Sequence, residues 1–367
     1  MPYGIIPIII SNYSVFYKRG DGMGNKYLFC FLSKSIEIKS KKYYNRPMDD
    51  VSYWRNNMIR QQAFEGGNKM LKGGLHCHTT RSDGAGTPEA VIKRHYECGY
   101  DFMALTDHDI YNYASYAPEL PITILPAMEI SCGVKRAKGV QYHDSVCIGK
   151  RKESGNGFEQ DEAFPFSIIE SHGEFQEKLD KAHERNNITF YCHPQWSSTY
   201  ARDIEGLKGI FAIEVWNSGG VLCNYTDMDA FCWDELLRSG LKWYGVATDD
   251  GHAMSEHCHG WVMVNSQNDI DSIVDALAEG RFYSSCGPEI YDFYVDGDKC
   301  VIECSEVSMI RLHSDGHPVE LRQAPEGGSL TRAEFTLWGG ESQYDYVRIT
   351  VTDKDGKHAW TNPIWFK

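Results

Sequence analysis

Between Gly73 and Pro288 short apolar runs alternate with segments whose apolar residues return at helical spacing. Residues 101–105, 122–130, 143–149, 188–194, 209–217 and 242–252 read as strands, rich in β-branched and aromatic side chains and bounded by polar or glycine positions. Thr87-Pro88-Glu89 opens a helix with a capping hydroxyl, a proline at the first helical position and an acid in the first turn, and Gly99 closes it. Helical spacing returns at 175–185, 227–240 and 270–279. Strand and helix alternating at these lengths predict a parallel sheet. Polar residues collect at the carboxyl ends of at least six strands, which favours a closed barrel over an open doubly wound sheet with one switch point. After Pro288 the period shortens to two. Runs flanking Asp296-Gly297 and Asp355-Gly356 predict two hairpins in a small, sandwich-like antiparallel β module. The expected organisation is a barrel over 48–288 and a β module over 289–367.

Charge separates the beginning of the chain from the rest. Residues 1–47 carry a net charge of +6 within a chain of net −14, which leaves −20 for the remainder. Met48 begins an acidic, helix-compatible stretch, so residues 1–47 read as an extension outside the catalytic fold; the alternative is an arm packed on the barrel. The acidic balance argues against a general nucleic-acid binder, because a phosphate backbone requires a basic footprint. No apolar run is long enough to span a bilayer, and the stretch at 5–10 holds Pro7 and lacks a basic flank before it, so it does not read as a signal peptide. The 12 cysteines are scattered without a paired CxxC, as expected of reduced thiols in a cytoplasmic protein.

The strand ends carry the chemistry. His76, His78 and Asp83 lie in LHCHTTRSDG, Asp107 and His108 in ALTDHD, and Asp250 and His252 in ATDDGH. Imidazole and carboxylate together suit borderline-hard divalent ions, and a polynuclear site needs carboxylates to offset its positive charge. The pattern is that of a metallohydrolase. Cys77 should face away from its histidine neighbours. Arg81, Arg202 and Arg281 are candidates for gripping a phosphate oxygen, and Trp196, with Asn217 beside Trp216, for walling a substrate pocket. His95, His183, His257, His259, His313, His317 and His358 lack a carboxylate partner at strand-end spacing. They read as solvated or satisfied structural histidines, with the 257–259 segment on a loop rim.

Taken in order, LHCHTTRSDG, GYDFMALTDHD, PAMEIS, YCHP and TDDGH resemble the motifs of PHP-domain metal-dependent phosphoesterases, relatives of the polymerase-associated PHP domain and of histidinol phosphatase. GRFYSSCGP and the following β module are similar to the CehA/McbA-like branch. The resemblance implies a distorted (β/α)7 TIM-like barrel holding two or three divalent ions, of Mn, Zn or Fe. It implies one ion on His76, His78 and Asp250, with Glu129 bridging to a second on His143 and His193, and a third on Asp83, His108 and His252. Asp250 is preferred to Asp249 on spacing, and His172 or His183 is a weaker substitute for His143. Asp107 would orient a ligand histidine, and Asp249 or His252 would relay protons. The implied activity is hydrolysis of a small anionic substrate, a phosphorylated metabolite or nucleotide. Alternatives are a carbamate, ester or amide metallohydrolase, or a non-catalytic metal-binding module.

Overall fold

The computed structural model describes residues 70–366 except Asp229, together with the two-residue strands Ile9–Ile10, Tyr13–Ser14 and Gln61–Gln62. By contacts the chain divides into Met1–Asp50 and Val51–Lys367. The reading of residues 1–47 as an extension lies, but for four residues, outside those described.

Strands β1 (Leu71–Gly74), β2 (Phe102–Ala104) and β3 (Thr123–Leu125) are parallel neighbours. The chain then forms a long antiparallel hairpin of β4 (Ala127–Arg136) and β5 (Gly139–Gly149), with β6 (Ser167–Ile169) parallel to β4. β7 (Asn187–Tyr191) is antiparallel to β5 and parallel to β8 (Ile210–Asn217), which is parallel to β9 (Tyr244–Thr248). β10 (Trp261–Val264) returns antiparallel to β1 and pairs with β11 (Phe282–Ser285).

The result is a mixed α/β fold, rich in sheet. Ladder bonds form one sheet in the order β9-β8-β7-β5-β4-β6 and a second that includes β11-β10-β1-β2-β3. Isolated parallel bridges, Cys77 with Gly251 and His108 with Glu129, join the two beyond the ends of β1 and β9 and between β2 and β4. An all-parallel, continuously hydrogen-bonded barrel is therefore not what the ladders make. The expected single strand over 122–130 is split, and Glu129 sits inside the longer β4. Gly139, at φ 95, turns β4 straight back into an antiparallel β5, where a parallel sheet was expected.

The helices follow their caps. In α1 (Pro88–Glu97) the Thr87 hydroxyl accepts from Ala90 N at 3.3 Å while Val91, Ile92 and His95 are buried. The others of seven or more residues among those described are α2 (His172–His183), α3 (Ser218–Asn224), α4 (Phe231–Arg238) and α5 (Ile270–Ala278). On α5 the Asp269 carboxylate caps Ser272 N at 3.1 Å, and Ile273, Val274, Ala276 and Leu277 pack on the sheet. No helix among the described residues is long and apolar enough to cross a membrane, and no disulfide joins the described cysteines.

Beyond Pro288, β12 (Ile290–Asp296) and β13 (Lys299–Val307) form the hairpin expected at Gly297, whose φ is 64. β14 (Met309–Ser314), β15 (Glu320–Gln323) and β16 (Leu330–Thr336) follow. β17 (Tyr346–Thr352) and β18 (His358–Thr361) form the second hairpin, turning at Gly356. The inward residues of these strands, among them Phe293, Ile302, Ile310, Phe335 and Val351, make one core. β18 also pairs with β11, so one sheet runs from the terminal strands to β1. Across this junction the fully buried Arg348 of β17 donates to Asp234 of α4, Nε to Oδ1 at 2.9 Å and again through Nη2, with its guanidinium 4.6 Å from the Trp233 ring centroid. Burial pushes the Asp234 carboxyl up, but Arg348 outweighs it and holds the group below the usual carboxylate range.

Candidate metal centre

Backbone pairing beyond the strand ends brings the ligand-bearing segments together. Asp250 N–H donates to His76 O, His78 N–H to Gly251 O and Thr106 N–H to Cys77 O, each at 3.0 Å. Alternation then sends His76 and His78 to one side and Cys77 to the other, where its thiol donates to Ala104 O at 3.2 Å. His193 and Asp250 have φ values of 27 and 49, a region costly for residues with a Cβ and one that clusters at functional sites.

Four overlapping groups of ligand atoms result, one of them His76, Cys192 and Glu214; the other three share Glu129 or His78. In the first, His76 Nε2 and His78 Nε2 lie 3.2 Å apart, with Asp250 Oδ1 at 3.3 and 3.0 Å from them and Glu129 within 3.3 Å of both. In the second, His193 Nε2 lies 3.3 Å from Glu129 Oε1 and 3.6 Å from Asp144 Oδ2. In the third, the half-exposed Asp83 stands 3.6 Å from His108 Nε2 and 3.4 Å from His252 Nε2. Glu129 belongs to two groups, and His78 touches both the first and the third.

Outer partners aim the rings. His76 Nδ1–H donates to Glu214 at 2.8 Å, His193 Nδ1 meets the Ser197 hydroxyl at 3.0 Å, and His252 Nδ1–H donates to Asp250 O at 3.0 Å. In each case Nε2 is left for the centre, the arrangement that fixes tautomer and direction in metal-bound imidazoles. Glu214 is itself held by Thr248 Oγ1 (2.6 Å), His193 N (2.7 Å) and Asn217 Nδ2 (2.8 Å). Asn217 also reaches Asp250 Oδ2 at 3.1 Å, so it positions a ligand.

The buried imidazoles and carboxylates shift one another strongly. Burial disfavours protonated rings, yet the surrounding carboxylates overcome it: Asp250 and Glu129 raise His78 to about 9, and Glu129 and Asp144 raise His193 to about 10. His76 is raised well above its usual value by Asp250 and Glu129 despite burial, and Glu129 is driven well below the carboxylate range by His76 and His108. Asp144 is pushed up to about 7 by burial and by Glu129. Two Nε2 atoms at 3.2 Å cannot both carry protons toward each other, and Glu129 Oε2 is buried between His78 Nε2 at 3.3 Å and His108 Nδ1 at 2.9 Å. A divalent ion between the two rings removes that conflict, and the imidazole–carboxylate donor set fits Zn-, Mn- or Fe-class ions.

Several expected residues lie elsewhere. In the β4–β5 register Asp144 faces Ser131 and His143 faces Cys132. Glu129 and Ser131 point into the site, so Asp144 does too, and His143 is carried to the opposite face. There it bonds the Tyr191 hydroxyl at 2.7 Å and packs 5.8 Å from Phe175. The structure thus offers Asp144, not His143, beside His193; a one-residue difference in strand phase decides it. Asp144→Ala is expected to lower metal content while His143→Ala leaves it unchanged, as read by elemental analysis of purified protein.

His183 is also away from the site, bonding Thr189 at 2.9 Å. Asp107 does not orient a histidine: it accepts from Thr79 N (2.8 Å), Ser82 N (3.1 Å) and both hydroxyls, and so shapes the loop that carries Asp83. Asp249 points away from the centre, toward His95 and His257, which are buried and not at a rim.

Of the arginines, Arg81 pairs with Asp161, Arg202 stacks 4.4 Å from the Tyr200 centroid, and Arg281 bonds Glu279 at 2.7 Å. None lines the cleft of about 280 Å³ over the ligands. Trp196, 5.0 Å from His193, and Asn217 do line it. Asp144 and the orienting role of Glu214 were visible in the sequence only as polar residues in apolar runs.

Residues 74–218 match the PHP domain. Over 65 residues the chain is 42% identical to the 5'-3' exoribonuclease Rnm of Escherichia coli (strain K12), a stretch covering 16% of this chain and 22% of that protein. The chain thus spans about a fifth of the length of that relative. Among solved structures it is similar to a two-domain protein containing a predicted PHP-like metal-dependent phosphoesterase from Bacteroides vulgatus ATCC 8482. That likeness covers 84% of this chain and 99% of that one, at 16% identity and a TM-score of 0.43. A second similar structure is an amidohydrolase from Chromobacterium violaceum with bound sulfate and no metal, covering 49% of this chain and 87% of that one, at 18% identity and a TM-score of 0.33.

Proposed function

We propose that this protein is a metal-dependent phosphoesterase that hydrolyses a small phosphorylated metabolite or nucleotide. The observation that carries the reading is the sharing of Glu129 between the first two ligand groups and of His78 between the first and third. Such sharing suits adjacent ions that clamp the attacking and leaving oxygens of an in-line displacement. The PHP match supports it, since residues 74–218 contain every ligand named above except Asp250 and His252. In this reading the two sheets are a distorted barrel whose seams are the Cys77–Gly251 and His108–Glu129 bridges, residues 48–288 carry the chemistry, and residues 289–367 are a β module similar to that of the CehA/McbA-like branch. The buried thiols fit a reducing cytoplasm.

His76, His78, Asp250 and Glu129 would hold one ion, Glu129, Asp144 and His193 a second, and Asp83, His108 and His252 a third. Ions bound there supply Lewis acidity toward phosphorus and an activated water at neutral pH. The protein's residues do the rest. Glu214 and Asn217 keep His76 and Asp250 on target, and Trp196 walls one side of the cleft.

A second reading, hydrolysis of a carbamate, ester or amide, is favoured by one feature. No lysine or arginine lies among the described residues lining the cleft, so no lysine or arginine there would meet a phosphate dianion. Purified Mn- and Zn-loaded protein offered phosphomonoesters, nucleotides and aryl esters separates the two. Turnover of a phosphomonoester, inhibited competitively by inorganic phosphate at millimolar or lower concentration, is expected. An aryl ester turned over faster than every phosphoester, with phosphate silent, would establish the second reading.

A further inference from the structure

One residue before Asp250, Asp249 belongs to a second buried cluster that the proposed chemistry does not use. We propose that His95, Asp249 and His257 form a structural site for one divalent ion of the zinc class. Their ligand atoms lie within 4.8 Å of one another, and the three residues are 1%, 2% and 0% exposed. His95 Nδ1–H donates to Val91 O at 2.9 Å within α1, which leaves the Nε2 lone pair directed at Asp249.

His95 Nε2 and Asp249 Oδ2 stand 3.6 Å apart, too far for a hydrogen bond. Two ligands of one tetrahedral zinc, bound at ~2.0–2.2 Å, are separated by roughly 3.4 Å. The spacing fits an ion between them.

Asp249 is prepared as a ligating carboxylate. Its Oδ1 accepts from Ser218 Oγ (3.1 Å), His259 N (2.8 Å) and Gly260 N (2.8 Å), and its Oδ2 from Cys258 N (2.6 Å), so Oδ2 keeps a lone pair for a metal. His257 supplies the independent pointer to a ligand: both ring nitrogens are buried and neither has a hydrogen-bond partner among the described residues. An imidazole in that state has given up its hydration at both ends for nothing, unless a cation takes one of them. Gly251 makes room for this ring, since a Cβ there would lie 2.4 Å from His257 Nδ1.

Closed from solvent, the site would act structurally. It ties the end of α1, the end of β9 and the 251–260 loop together directly beside Asp250.

The test is metal stoichiometry in the full-length protein, loaded with Zn²⁺ and freed of excess by gel filtration. His257→Ala and His95→Gln should each lose about one equivalent per chain relative to the parent. His78→Ala, in the other cluster, should keep that ion. In cobalt-substituted protein the visible band of the buried site should vanish in His257→Ala and persist in His78→Ala. His257→Leu, which fills the space with an apolar group, guards against misfolding as the cause of metal loss: circular dichroism like the parent's with the ion gone supports the site. Equal metal content and equal cobalt spectra in parent, His257→Leu and His95→Gln would overturn it.

Discussion

His76→Ala is expected to lower turnover of the best phosphomonoester by about a thousandfold or more, the scale of several kcal/mol of lost electrostatic stabilisation, and to reduce bound metal. His76 Nε2 faces Glu129 and Asp250, and nothing else in the first ligand group replaces it. Glu214→Gln should act through the same ring with a smaller effect. The amide still occupies the space but no longer supplies the carboxylate that accepts His76 Nδ1–H at 2.8 Å, so metal affinity should fall by roughly 10–100-fold. Both variants should keep the circular dichroism of the parent, because strand-end ligands add function more than packing. Full activity in metal-stripped protein, or equal damage from both substitutions, would remove the basis of the proposal.

The second large effect is on stability. Arg348→Met should destabilise the fold by about 3–5 kcal/mol, because it leaves the Asp234 carboxylate largely buried without its partner. Denaturant unfolding measures this directly. The double variant Asp234→Leu with Arg348→Met should recover most of the loss, since removing both charges also removes the orphan. A double variant no better than the single one would show that packing against Trp233, not charge, carries the effect. The pair also has a pH signature. Asp234 titrates below its unfolded value, so its contribution is complete above the ordinary carboxylate range and is lost as pH falls through the folded value. Acid unfolding of the parent should thus be steeper than that of Asp234→Asn.

The two predictions come from parts of the chain that differ in how far they can be read from residues alone. The His76-Cys77-His78 spacing states by itself that two imidazoles share a face, because strand alternation has a period of two, and the Asp296-Gly297 and Asp355-Gly356 turns state their hairpins for equally local reasons. The cap at Thr87 likewise marks a helix start within a few residues. What depends on strand phase was not legible: whether His143 or Asp144 faces the centre turns on one residue of register in the β4–β5 hairpin. Nor was the sheet order, since the β4–β5 hairpin and the strand–helix units around it are built from similar apolar runs. Long-range partners decided the remaining roles. Glu214 became an orienting carboxylate because His76 lies 138 positions away in sequence and 2.8 Å away in space, and Asp249 turned toward His95 and His257 because three backbone N–H groups of the 258–260 loop hold it there. The sequence alone determined which chemistry the chain carries, since ligand type is local; only the tertiary structure decided which side chains share a cation, since that is fixed by pairing between segments distant along the chain.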